Sequence, residues 1–144
     1  MYSKILVPID TTYANSSWLK APLEIASDLA QKSRGVLHLV SVIPDNLLKG
    51  YYPDIYSESI ADDVKHKLEA IAKDLLAANV SVQFHVEKGG ICSEILRVAR
   101  KINASEIVIA SHGPVLKDYL IGSNAGYIAL HAPCSVFVIR GSTT

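Results

Sequence analysis

The sequence lacks an excess of charge of either sign. It carries 14 basic and 14 acidic residues among 144, so its formal net charge is 0. It also lacks a long cluster of Lys and Arg, which is the electrostatic footprint of proteins that bind nucleic acid. Nucleic acid is therefore not an expected partner.

The start of the sequence lacks an apolar segment long enough for a signal peptide or a membrane span. The short apolar run there ends at Asp10. Cysteine is also scarce, since only Cys92 and Cys134 occur, both in apolar sequence. We expect a cytoplasmic protein that does not bind membranes, with both thiols reduced and buried in the core.

Two phosphate-binding signatures are absent. No GxxxxGK[ST] motif occurs, which excludes a Walker-type loop, and no GxGxxG follows the first predicted strand. A phosphate site in this chain must therefore be built in another way.

What the chain does have is a regular alternation of strand and helix patterns. Hydrophobic residues make up 49% of it, enough for a buried core in a domain of this length. Apolar runs predict strands over 4–9, 36–43, 80–86, 107–110 and 135–140. Apolar residues spaced three and four apart predict helices from about 21 to 34, from Ser57 or Ser59 to Asn79, over 91–102, and from about 124 to 132.

Several boundaries depend on single residues. Pro22 either lies in the first turn of the first helix or kinks a longer one. Gly35 is predicted to end that helix in the left-handed conformation. The segment Asp45–Tyr56 shows no periodicity and is predicted to be a long loop or flap. It is either a functional loop or simply a packed aromatic loop.

Alternation through residues 1–144 predicts a single α/β domain. Near-continuous apolar strands are typical of an open parallel sheet with helices on both faces and right-handed crossovers. The strict alternation over 80–86 instead indicates a strand with one solvated face, near a sheet edge. Ligands of such sheets bind beyond the carboxyl ends of the strands, where the strand order reverses.

The segment Ile107–Asn124 is the strongest candidate for a ligand site. A buried strand ends in the small residues Ala110 and Ser111, and Gly122-Ser123 precedes a helix. Small side chains let backbone N–H groups approach an anion, and a helix N-terminus presents unpaired donors. The same residues could equally be ordinary turn punctuation with Ser123 as a helix cap.

Asp10 follows the first strand, so it would face the same crevice if the first and fourth strands are neighbours. It could hold a ribose hydroxyl, or a divalent cation such as Mg²⁺ through water, or it could be only a turn or capping residue. Asn124 could offer its amide to phosphate or support the helix start, and His112 could touch phosphate or bond its own turn. The other histidines show no metal-ligand clustering, and no direct metal site is predicted.

Four segments of the chain resemble sequences of the universal stress protein family: VPID, ASHGP, GSNA and HAPCSVFVIR. The resemblance extends over the whole chain. It implies a five-stranded parallel sheet in the order 3-2-1-4-5, similar to half of a dinucleotide-binding fold. Nucleotide-binding members hold ATP through a Gly-x2-Gly-x9-Gly-(Ser/Thr) loop.

The resemblance assigns ligand-binding roles to particular residues. Gly113 matches the second glycine of the loop, and Gly122-Ser123 match the final pair at the phosphates. Pro8, Ile9 and Asp10 match the segment beside ribose and adenine, and Val42 matches the strand-end residue whose backbone reads the adenine edge. The chain departs from the motif twice, because Ala110 replaces the first glycine and eight residues, 114–121, separate Gly113 from Gly122. The predicted nucleotide-binding residues are thus Pro8, Ile9, Asp10, Val42, Ala110, Ser111, His112, Gly113, Gly122, Ser123 and Asn124.

The resemblance also implies a function and a partner. The leading hypothesis is a cytoplasmic stress-response regulator that binds ATP or AMP and signals to a protein partner. The resemblance further implies a homodimer paired through the last strand, Val136–Ile139, an apolar edge that usually needs a partner. Two alternatives are a nucleotide-free interaction scaffold of the same fold and a slow ATP hydrolase or autophosphorylating protein. No catalytic residue is predicted, because no nucleophile with a paired base stands out.

Overall fold

Strands and helices alternate as the sequence predicts. The structure is a computed structural model that describes residues 3–12, 17–45, 54–111 and 122–140. The strands are β1 (Lys4–Pro8), β2 (Val36–Pro44), β3 (Val82–Gly89), β4 (Glu106–Ala110) and β5 (Ser135–Ile139). The helices are α1 (Lys20–Ser33), α2 (Asp54–Leu75), α3 (Ile91–Ile102) and α4 (Ser123–His131). A short 3-10 helix, Ser17–Leu19, leads directly into α1.

The five strands form one parallel sheet in the order β3-β2-β1-β4-β5. This confirms the predicted α/β class and strand order. The chain first adds β2 and β3 on one side of β1, then crosses to the other side of β1 to add β4 and β5. The order therefore reverses between β1 and β4, and that boundary is where this type of sheet holds ligands.

Each face of the sheet has its own hydrophobic core. Successive side chains of a strand point to opposite faces, so β1 contributes to both cores. Ile5 packs with α1 and with Leu68 of α2 in one core. Leu6 packs with Val98 of α3 and Ile128 of α4 in the other. Burial of β1 on both sides explains its continuous apolar sequence.

The end of α1 is built differently from the prediction. Pro22 lies in the first turn of the helix, which is one of the two alternatives that the sequence left open, but the left-handed residue is Arg34, with φ of 54°, and not Gly35. Gly35 instead allows the backbone to pack closely, because a Cβ there would overlap the carbonyl oxygen of Ser3. That oxygen accepts the N–H of Val36 at 3.0 Å, so a side chain at Gly35 would disturb the start of the β1–β2 ladder.

The predicted boundaries of α2 and of the strand that follows it were wrong. The helix begins at Asp54, so the predicted flap does not extend to Tyr56, and Ser57 and Ser59 lie inside the helix and do not cap it. Residues 46–53 of the predicted flap lie outside the described part. The helix ends at Leu75, before Asn79, and β3 runs from Val82 to Gly89, paired with 37–44 of β2. Pairing with β2 extends β3 through its charged end, which apolar periodicity alone does not reveal.

A buried histidine pair joins β2 to β3. His38 Nδ1 lies 2.8 Å from His85 Nε2, and the two rings stack with centroids 5.1 Å apart. His38 is only 5% exposed. Burial, the neighbouring His85 and, to a smaller extent, Lys4 lower the pKa of His38 to about 4. Burial also lowers the pKa of His85, with Lys101 acting in the same direction and Glu87 opposing. Both rings are therefore neutral at pH 7.

The two cysteines are free thiols, and each is only partly buried. They are thus less deeply buried than the expected core thiols. Burial raises the pKa of both, and Glu106 adds to the effect at Cys134, so both stay protonated. Among the helices of the described residues, none combines the length and apolar character that a membrane span requires.

Candidate functional site

The β1–β4 boundary opens at its carboxyl end. In the register of these two strands, Ile5 lies opposite Glu106 and Leu6 lies opposite Ile107. Beyond these pairs, the described backbone after β1 bonds to β2, and the described backbone after β4 bonds to β5. The N–H of Ile9 donates to the carbonyl of Val40 in β2, and the N–H of Ser111 donates to that of Ile139 in β5, each at 2.8 Å. The two chain segments are thus drawn apart, and a crevice forms between them.

A cavity of about 330 Å³ occupies this crevice. Its volume lies within the range of small-molecule sites, and its wall is mainly apolar with a few polar groups, as such sites usually are. The residues that line it are Pro8, Ile9, Asp10, Thr12, Trp18, Val40, Val42, Pro44, Ile91, Ile95, Ile109, Ala110, Ser111, Gly122, Ser123, Asn124 and Ala125.

Nine of the eleven predicted site residues line this one cavity. They come from segments that are far apart in the sequence: the end of β1, the end of β2, the end of β4 and the start of α4. The other two, His112 and Gly113, lie outside the described residues. The arrangement gives the predicted residues a common location; their roles in binding stay predictions.

The polar end of the cavity is the N-terminus of α4. Gly122 is the N-cap residue, with φ of −60° and ψ of 150°, and no side chain caps the helix there. The N–H of Gly122 donates to the carbonyl of Ser111 at 2.6 Å, which fixes the helix start against the end of β4. The first N–H groups of an α-helix have no partner within the helix, and the helix dipole adds positive potential. Such a terminus is suited to hold an anion.

The Ser111 hydroxyl lies beside this helix start. Ser111 is 1% exposed, and its Oγ has no hydrogen-bond partner within the described residues. A buried hydroxyl without a partner costs about 1–3 kcal/mol. Native proteins leave few such groups, and each calls for an explanation. A ligand oxygen that reaches Ser111 would satisfy it.

Asp10 is partly used by its own turn. Its Oδ1 accepts the N–H of Thr12 at 2.9 Å. The prediction that Asp10 is a turn residue is therefore confirmed for this oxygen, while the residue also lines the cavity. The turn fixes the carboxylate at the end of β1, since one oxygen is anchored to the backbone.

Asn124 is connected to the neighbouring helix. The Cys92 thiol of α3 donates to Asn124 Oδ1 at 3.3 Å and lies 3.8 Å from the Asn124 carbonyl oxygen. Burial raises the pKa of Cys92, which keeps the thiol proton available for this bond. Because Oδ1 is engaged, the donor end of the Asn124 amide is the end left for another partner.

Eight lining residues are not among the predicted site residues: Thr12, Trp18, Val40, Pro44, Ile91, Ile95, Ile109 and Ala125. Trp18 and Ile91 stand at or near the start of helices that follow β1 and β3. The rule that ligands lie beyond the strand ends could have indicated them, but neither belongs to a recognised motif.

The cavity contains little titratable chemistry. Asp10 is the only ionisable side chain among the described lining residues. Within the ranges that the structure covers, no group of three or more His, Cys, Asp and Glu side chains is placed to hold a metal ion.

Comparisons with known proteins agree with this architecture. The sequence model of the universal stress protein family matches residues 1–140. Universal stress protein G of Shigella flexneri is 28% identical over 145 residues, which cover 97% of this chain and 100% of that protein.

Two solved structures share the fold. Universal stress protein UspA from Lactobacillus plantarum has a TM-score of 0.72 at 23% identity, over 96% of this chain and 98% of that one. A universal stress protein in complex with cAMP has a TM-score of 0.61 at 18% identity, over 98% of both chains. With a match across 1–140, the chain belongs to the universal stress protein family.

Proposed function

We propose that this protein binds an adenine nucleotide, ATP or AMP, in the crevice between β1 and β4, and acts as a cytoplasmic regulator in a stress response. One observation carries the proposal: the residues predicted for nucleotide binding converge from four chain segments on a single cavity at the point where the strand order reverses. The polar and glycine members of this set, Asp10, Ser111, Gly122, Ser123 and Asn124, do not belong to either hydrophobic core.

The ends of the cavity suit the two ends of a nucleotide. The phosphates would lie at the start of α4, near Gly122, Ser123 and Asn124, where they would meet unpaired N–H groups and the Ser111 hydroxyl. His112, Gly113 and Ala110 would complete this loop. Donors of this type are worth more to a charged phosphate than to a neutral group.

The sugar and base would lie toward β1 and β2. Asp10 would accept a ribose hydroxyl or hold Mg²⁺ through water, and Pro8 and Ile9 would border the sugar. The Val42 backbone would read the adenine edge, within the apolar part of the wall. The solved universal stress protein in complex with cAMP supports an adenine nucleotide as the ligand class for this fold.

Regulation fits the site better than turnover. Among the described residues, the phosphate end is lined by Ser, Gly, Asn and Ala side chains, none of which titrates near pH 7. These groups can hold a phosphate but cannot act as the general base that hydrolysis needs. We therefore propose that bound nucleotide orders the loop from Ser111 to Ile121, of which 112–121 lie outside the described residues, and that a protein partner reads this surface.

The proposal is tested with purified protein. The protein is denatured and the supernatant analysed for released nucleotide, and refolded or nucleotide-stripped protein is titrated with ATP, AMP and cAMP by calorimetry. We expect either co-purified adenine nucleotide or saturable binding of at least one of the three. If no nucleotide is released and none of the three binds, the nucleotide hypothesis is wrong and the scaffold alternative takes its place.

We also propose a homodimer formed through β5. This strand pairs with β4 on one side only and is the edge of the sheet, and Phe137 is partly exposed on it. On the adjacent α4, Tyr127 is 50% and Leu130 82% exposed. An apolar strand edge beside exposed apolar side chains favours association.

The dimer proposal predicts that a charge in β5 produces monomers. Val138→Glu should shift the sedimentation coefficient from dimer to monomer, because a carboxylate would have to be desolvated in the interface. Gln83→Glu, a charge on the exposed side of the opposite edge strand β3, is the matched control and should leave the dimer intact. A folded Val138→Glu protein that stays dimeric would count against β5 as the interface.

A further inference from the structure

Trp18 is the only tryptophan of the chain, and it lies between the core and the cavity. Part of its side chain packs against the core beneath α1, and another part lines the cavity. Its neighbour Leu19 is buried, and the 3-10 helix that holds both continues into α1 without a break. The indole is therefore packed against the core while it borders the cavity.

The part of the indole that borders the cavity consists of carbon atoms and does not include the N–H group. Trp18 Nε1 exposes less than 1 Å² of surface, so it is not available to a ligand in the cavity. An aromatic hydrocarbon surface gains nothing from a phosphate, whereas it stacks with or borders a planar ring favourably. The unpaired donors suited to phosphate stand elsewhere, at the start of α4.

We propose that Trp18 is a specificity-determining residue that contacts the base of the bound nucleotide. It favours ligands that carry a planar base over bare phosphate chains of the same charge. This inference rests on the proposed function, because it names how the same cavity distinguishes its ligand. Aromatic contact with a base contributes in this way in many nucleic-acid sites, and it tolerates different bases because each has a π face.

Tryptophan fluorescence tests the contact directly, because Trp18 can be excited selectively over the tyrosines. The probes are ATP and inorganic tripolyphosphate, which carries a similar phosphate chain without ribose or base. We expect ATP to change the emission of Trp18 and to reduce its quenching by acrylamide, and tripolyphosphate to do neither. Binding of ATP without a change in either signal, or equal changes with tripolyphosphate, would overturn the inference.

Two variants separate a base contact from a structural role. Trp18→Leu should weaken ATP binding by about tenfold, equivalent to about 1.4 kcal/mol, while Trp18→Phe, which keeps an aromatic ring, should stay within roughly threefold of the wild type. Circular dichroism confirms that both variants are folded. Equal ATP affinity in wild type and Trp18→Leu would overturn the inference alone, whereas failure of the wild type to bind any nucleotide would overturn the proposed function.

Discussion

Gly122→Val is expected to weaken binding of ATP or AMP by a factor of at least about 100, which corresponds to about 2.7 kcal/mol. Valine can adopt the backbone conformation of Gly122, with φ of −60° and ψ of 150°, so the substitution imposes no left-handed backbone strain. Its two methyl groups would, however, stand at the mouth of the cavity, where phosphate would meet the first N–H groups of α4. Loss of one or two hydrogen bonds to a charged group accounts for an effect of this size.

Gly126→Ala is the matched control for this change. Gly126 lies one turn further along α4 and does not line the cavity, and within the described residues no atom beyond its chain neighbours and its own helix backbone lies within 4 Å of the position that a Cβ would occupy. The substitution should leave nucleotide affinity unchanged and raise the free energy of unfolding by about 0.5–1 kcal/mol, because alanine loses less backbone entropy. Isothermal calorimetry and urea unfolding measure both effects. Normal ATP binding by Gly122→Val would show that the phosphates lie elsewhere.

Acidification from pH 7 to pH 5 is expected to lower the free energy of unfolding by roughly 2 kcal/mol through the histidine pair. The pKa of His38 is about 4 in the folded protein, below the ordinary value of 6.5 that applies when the chain unfolds. The unfolded chain therefore binds more protons below pH 6.5. Stability from this pair is complete above that pH and is lost progressively as the pH falls toward 4.

The variant His38→Phe separates this effect from other titrations. It removes the group with the lowered pKa while keeping a ring of similar size, so the loss of stability between pH 7 and pH 5 should shrink by more than half. His66→Asn, at an exposed position of α2, is the control and should keep the wild-type pH dependence. Urea unfolding at pH 7, 6 and 5 gives the comparison. If wild type and His38→Phe lose the same stability on acidification, the buried pair is not the cause.

The fold was predictable because its signals are local and repeated. Each strand is a short apolar run, and each helix has one apolar face, so neighbouring residues already indicate the element. Boundaries were less accurate where tertiary contact decides them. Pairing with β2 carries β3 to Gly89 through Glu87 and Lys88, which no hydrophobic pattern would include.

The site was predictable only in part. Gly122, Ser123 and Asp10 were indicated by their positions after strands and by the family resemblance. Trp18 was missed because its place in the cavity depends on how the chain packs after β1. The histidine pair was missed for a similar reason. His38 and His85 meet only because the β2–β3 register sets Val40 opposite His85.

Helix α4 has several features that reduce the stability of a helix, and they affect how readily the ligand site opens. It has nine residues, no capping side chain, and a glycine near its middle, and each of these lowers the persistence of a helix. Transient fraying of its first turn would expose amide hydrogens to exchange at a fraction of the free energy needed for global unfolding. An anion seated there would suppress this fraying by mass action. The region that a ligand would contact is therefore the region whose order a ligand can change most.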